Sequence, residues 1–123
     1  MNAPTALLIL STAAAVVAPL RSAQIALACE SGCATADSVQ VADAIRTGLA
    51  HHGVTVTQQS LGREFPLLVT GRITMQGDSV RVAAELLELH HEISRYTVLA
   101  PRTELSAQVL RMGERFGRAL LRP

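Results

Sequence analysis

A two-residue turn between two strictly alternating runs constrains this chain more than any other feature. Leu67, Val69, Gly71, Ile73 and Met75 take every second position, with Thr70, Arg72, Thr74 and Gln76 between them. A period of two sends the first set to one face of a strand and the second to the other. After Gly77-Asp78 the alternation resumes, with Val80, Val82, Ala84 and Leu86 on one side and Ser79, Arg81 and Glu85 on the other. Glycine tolerates the positive φ of the tight turns that join antiparallel strands, so Gly77-Asp78 closes a hairpin. A hairpin with one apolar face is stable only when something covers that face.

The cover is legible as two helices. Asp37 followed three residues later by Gln40 is a capping pattern, and Val41, Ala42, Ile45 and Leu49 recur at helical spacing before Gly53, predicting a helix over 38–52. Thr103 caps a second helix in which Leu105, Val109, Met112, Phe116 and Ala119 or Leu120 form an apolar stripe, with Arg111, Glu114, Arg115 and Arg118 opposite. The β-branched run 54–57 reads as a strand and 58–64 as its connection. Residues 94–99 give a last strand, Tyr96 and Val98 inward, after a polar loop at His90-His91-Glu92 and before Ala100-Pro101. The apolar run 24–29 reads either as a buried strand or as the tail of the segment before it. The order β-α-β-β-β-β-α predicts an α+β domain, a mixed β-sheet with two helices packed on one face.

Residues 6–20 are apolar apart from Ser11, Thr12 and Pro19. Such a stretch is short for a hydrocarbon core of about 30 Å and has the length of a signal-peptide core. The expected division is a signal peptide over 1–23, or an uncleaved anchor, followed by a single domain over 24–123. Small residues allow cleavage after Ala23, Ala28 or Ala36, and Ala28-Cys29 has the outline of a lipoprotein processing site that would put lipid on Cys29. In an exported chain Cys29 and Cys33 are also candidates for a short disulfide, the alternative being two free thiols. A redox motif would need Cys-x-x-Cys.

Composition excludes several classes. The chain is 49% apolar with a net charge of +1, which rules out a disordered acidic or basic tail. All eleven basic residues are arginine and form no block, and Phe65, Tyr96 and Phe116 are the only aromatics, so nucleic acid is not an expected partner. No Gly-x-Ser-x-Gly elbow or phosphate loop is present. Glu85 and Glu88 fall on opposite faces of a strand and make no carboxylate pair. No enzyme activity and no cofactor are expected. Two histidine pairs, His51-His52 and His90-His91, are the candidate metal ligands, read against exposed polar residues at a helix end and a loop. Arg72 and Arg81 are candidate cross-strand neighbours on the exposed sheet face, with Glu85 offsetting their repulsion; that face is read as solvated or as a docking surface for an acidic partner.

The stretch 68–88, LVTGRITMQGDSVRVAAELLE, resembles the corresponding hairpin of the TolB N-terminal-domain family. Thr70-Gly71, Gly77-Asp78 and Arg81-Val82 fall where that family places them. It is similar as well to the FlgO-like and CsgG/LpoB-like bacterial envelope domains. The run 25–28 and the helix over 38–52 resemble the family's first strand and helix, so the likeness spans about 24–121. The chain departs in having His90-His91-Glu92 where the family has a glycine turn and a Trp, and only 58–64 where it has a helix. The resemblance implies a non-enzymatic envelope module, periplasmic or secreted or else an outer-membrane lipoprotein. Its partner would be an envelope protein, and it would meet membrane only through a lipid anchor or an uncleaved signal.

Overall fold

The computed structural model describes residues 21–30, 32–57 and 67–121; the apolar segment 6–20 and the connection 58–64 lie outside them. Seven elements follow in the expected order: β1 (Arg21–Cys29), α1 (Thr35–Ala50), β2 (Val54–Val56), β3 (Leu67–Gln76), β4 (Ser79–Glu88), β5 (His91–Pro101) and α2 (Arg102–Leu121). The strands form one mixed sheet in the order β2-β1-β3-β4-β5. β1 runs parallel to both β2 and β3, and β3, β4 and β5 are antiparallel. The β3–β4 hairpin pairs in register from Gln76↔Ser79 to Leu67↔Glu88, and Gly77 takes the positive φ of 62° that its turn requires.

Both helices cover one face of this sheet, making the α+β layer predicted from the element order. The core holds Val41, Ile45 and Leu49 from α1 and Leu105, Val109, Met112 and Phe116 from α2, against Val69, Ile73, Val80, Val82 and Leu86 of the sheet; all twelve are fully buried. At about 1.5–3 kcal/mol for each large apolar side chain, this burial is the main stabilising contribution. The two helices meet through their backbones. A Cβ built on Gly48 would lie 2.6 Å from both Leu110 O and Glu114 N, and one on Gly113 would lie 2.7 Å from Ile45 O. Among the described residues no helix is long and apolar enough to cross a membrane.

Four local readings change. α1 starts at Thr35 rather than Ser38, so Asp37 sits inside the first turn, where it is 4% exposed. Its Oδ2 accepts the Ala34 backbone N–H at 3.0 Å and an Arg102 Nη2 donor at 3.1 Å. Gln40 does no capping and donates from Nε2 to Ser106 Oγ at 2.8 Å. The expected polar loop at His90-His91-Glu92 is a tighter turn made by Leu89-His90, with φ of 51° and 71°. His91 and Glu92 belong to β5 and pair with Glu88 and Leu87, because extending the ladder satisfies backbone groups that a loop would leave to water. Finally, β1 takes in Arg21–Ala23, ahead of the boundary expected at Gln24. Those three residues make the whole β1–β2 register, and Ala23 is fully buried.

Candidate functional site

The sheet face turned away from the helices carries no covering element among the described residues. Ala26 and Ala28 of β1, Thr70 of β3, Ala83 of β4 and Thr97 of β5 keep its middle low, while Arg72, Arg81, Glu85 and Arg95 stand around it, leaving an open groove of about 770 Å³. The helices' absence follows from patterning. The mainly polar half of each alternating strand, with small alanines between the charges, faces this side and leaves little large apolar surface for a second layer to bury.

The charges on this face are arranged as struts. Arg95 is clasped by two carboxylates, with Nη2 2.6 Å from Glu92 Oε1 and 3.6 Å from Glu85 Oε2. Hydrogen bonding to Glu92, and then burial, raises the Glu85 carboxyl above its usual range, while Glu92 is lowered by the same contact and by Arg95. Arg72 Nε lies 3.5 Å from Glu30 Oε1. The expected trio of Arg72, Arg81 and Glu85 is therefore not formed. Arg72 sits opposite Ala83 and Arg81 opposite Thr74, so the two arginines are diagonal, and Glu85 serves Arg95 instead. Arg81 forms no ion pair among the described residues. Local sequence gives Glu92 a loop position, and the bulge that sets its side chain beside Glu85 appears only once β5 is paired.

The histidines do not converge. His51 Nδ1 lies 3.3 Å from Glu114 Oε2, the His52 ring packs against Gly117, and His90 and His91 are exposed at the β4–β5 turn. Among the described residues no three His, Cys, Asp or Glu side chains gather in one place. Glu85 and Glu88 point to opposite sides, the latter 3.9 Å from Arg21. Cys29 and Cys33 are joined across the turn after β1, with Cα atoms 5.5 Å apart.

The sheet's two edges differ. β2 has three residues, too short to template a further strand. β5 has eleven, and among the described residues its outer side meets no strand. Its register shift falls at Ile93, so 94–100 runs without bulge or proline, and Leu99 is 59% exposed on it. Sheet edges are normally guarded by bulges, prolines or clustered charge; this stretch carries Arg95 alone.

No family model matches the chain, and no curated protein matches it by sequence. Solved structures do share its fold. TolB from Acinetobacter baumannii superposes with a TM-score of 0.55 at 15% identity, over 84% of this chain and 28% of that one. The PelC dodecamer from Paraburkholderia phytofirmans gives a TM-score of 0.53 at 13% identity, covering 82% of this chain and 86% of that one, and a PelC variant dodecamer from the same organism gives 0.52 at 14%. The chain thus spans a little over a quarter of the TolB chain and most of a PelC chain. At these identities the likeness is one of architecture, a TolB-like fold.

Proposed function

We propose that this chain is an exported, non-enzymatic module of the bacterial cell envelope that works through protein–protein contact along the β5 edge. The observation that carries the reading is the stretch 94–100, a run of edge strand between the bulge at Ile93 and Pro101 with Arg95 as its one charge. Its outward N–H and C=O groups supply the ladder that a further strand would complete, the mode of recognition known as strand addition. A chain of similar length with this fold, PelC, forms a dodecamer, which supports an assembly role. A lipoprotein of the FlgO or CsgG/LpoB kind is the variant of this reading in which Cys29 carries lipid. Processing there would remove β1 up to Ala28 and leave β2 and β3 without their shared neighbour. The variant that keeps the sheet whole places Cys29 in a disulfide with Cys33 and any export cleavage ahead of Arg21.

A photo-cross-linking residue at Thr97 or Leu99, used in the native host, together with light scattering on the purified protein, tests the edge. Cross-links to another envelope protein or between copies are expected. A strictly monomeric protein with no cross-link from either position would end the proposal. Intact mass from the native host reads cleavage, lipid and disulfide in one measurement.

A further inference from the structure

The helix-covered side of the β5 edge has a feature that the composition conceals. Arg111, Arg115 and Arg118 lie exposed along one side of α2, and with Ile93, Ser94, Tyr96 and Ala119 they line a groove of about 540 Å³ between the helix and β5. The Arg115 guanidinium stands 4.9 Å from the centre of the Tyr96 ring, which holds it over the groove. Among the described residues none of the three arginines forms an ion pair. Glu114 is the carboxylate that i,i+3 and i,i+4 spacing offers to Arg111 and Arg118. It turns to His51 instead, at the crossing of the helices. Arg111 and Arg115, like charges four residues apart with no carboxylate beside them among the described residues, work against the helix that bears them.

We propose that this groove receives an acidic, extended segment of a partner protein, whose backbone pairs with β5 over 94–100 and whose alternate carboxylates meet Arg111, Arg115 and Arg118. The inference rests on the β5 edge being the contact surface and adds the chemistry of what binds there. The spacing fits. Successive arginines rise about 6.0 and 4.5 Å along the helix, and side chains on one face of a strand recur about every 6.8 Å, a difference that flexible arginines absorb. A strand added beyond β5 sends every second side chain to the helix side, beside the arginine row. A second copy of this chain fits poorly, because pairing β5 with β5 brings two arginine rows into one seam. A bilayer fits poorly as well, because the cations border a concave groove rather than a flat face.

The test uses the purified full chain and a fluorescent peptide of about seven residues, alternating Glu and Thr, to match 94–100. Anisotropy reads binding, and a Gln/Thr peptide is the comparison. Arg111→Gln/Arg118→Gln, which leaves the Arg115–Tyr96 contact in place, weakens binding of the acidic peptide by about tenfold or more, since two charge-assisted contacts are lost. Thermal melts confirm that the variant stays folded. N-methylating one set of alternate peptide residues abolishes binding, while the other set leaves it intact, because only one set faces the edge. Equal binding by wild type and variant, equal binding by both methylated peptides, or competition by phosphatidylglycerol vesicles that the same substitutions remove would overturn the proposal. If Thr97 still cross-links a partner in that event, the edge reading stands and only the acidic occupant falls.

Discussion

Replacing Gly48 by alanine pits two effects of opposite sign against each other. Alanine is favoured over glycine inside a helix by about 1 kcal/mol, so on local grounds the substitution stabilises. The structure argues otherwise. The new Cβ would stand 2.6 Å from two backbone atoms of α2, where ordinary contact begins at 3.4 Å, so the helices must part by about 0.8 Å. Backbone atoms on both sides leave no flexible end to swing away. Parting the helices loosens Ile45, Leu49, Met112 and Phe116, all fully buried, and a gap of 0.5–1 Å forfeits a quarter to a half of each dispersion contact. Overpacking of this kind costs about 1–3 kcal/mol, and with backbone on both sides the upper end applies. After the propensity gain the net loss is about 2 kcal/mol, or roughly a 10 °C fall in Tm for a domain near 100 residues. Urea unfolding followed by far-ultraviolet circular dichroism measures it. Gly113→Ala is expected to act in the same direction, and the double variant to lose less than the sum, because one separation relieves both contacts. A Gly48→Ala protein more stable than wild type by about 1 kcal/mol, the propensity value alone, would refute the close approach.

Asp37 has its pKa lowered from 3.8, first by the Ala34 N–H and then by Arg102. Its stabilisation is therefore complete above that ordinary value and disappears as pH falls through the lower folded-state value. Asp37→Asn is expected to cost about 2 kcal/mol at pH 7 and to flatten the decline of unfolding free energy below pH 4, both read by denaturant titration across pH. Leu89 and His90 both hold positive φ, a conformation that costs non-glycine residues about 1–2 kcal/mol each, so Leu89→Asn with His90→Gly is expected to raise stability by about 1–2 kcal/mol in a thermal melt. A chain starting at Gln24 is expected to be about 2–4 kcal/mol less stable than one starting at Arg21, since three ladder positions and the buried Ala23 are lost; equal urea midpoints would show that β2 does not depend on them.

The hairpin was readable to the residue because its information is local. A period of two and a Gly-Asp turn admit one register, and a one-residue slip would put Val80, Val82, Ala84 and Leu86 into water. The stripe of α2, residue by residue from Leu105 to Phe116, was readable for the same reason at a period near 3.6. Helix and strand ends were less legible. Asp37 carries a capping signal wherever it stands in the first turn, and only the position of Arg102, distant in sequence, shows which backbone group it serves. The Leu89-His90 turn contradicts local preference, and the length of the β4–β5 ladder imposes it.

By itself, then, the sequence determined the kinds of element, their order, the faces they bury and so the α+β layer, because those depend on side-chain spacing along a single strand or helix. The tertiary structure alone decided which charges meet. It sent Glu114 to His51, Glu85 and Glu92 to Arg95, and Glu30 to Arg72. Helical spacing put Arg111, Arg115 and Arg118 on one face of α2, but nothing in the sequence showed that Glu114 would leave them for His51 or that the row would stand beside β5. Charge pairing is a property of distances between elements, and those distances are absent until packing, down to the contact of Gly48 with the backbone of α2, brings the elements together.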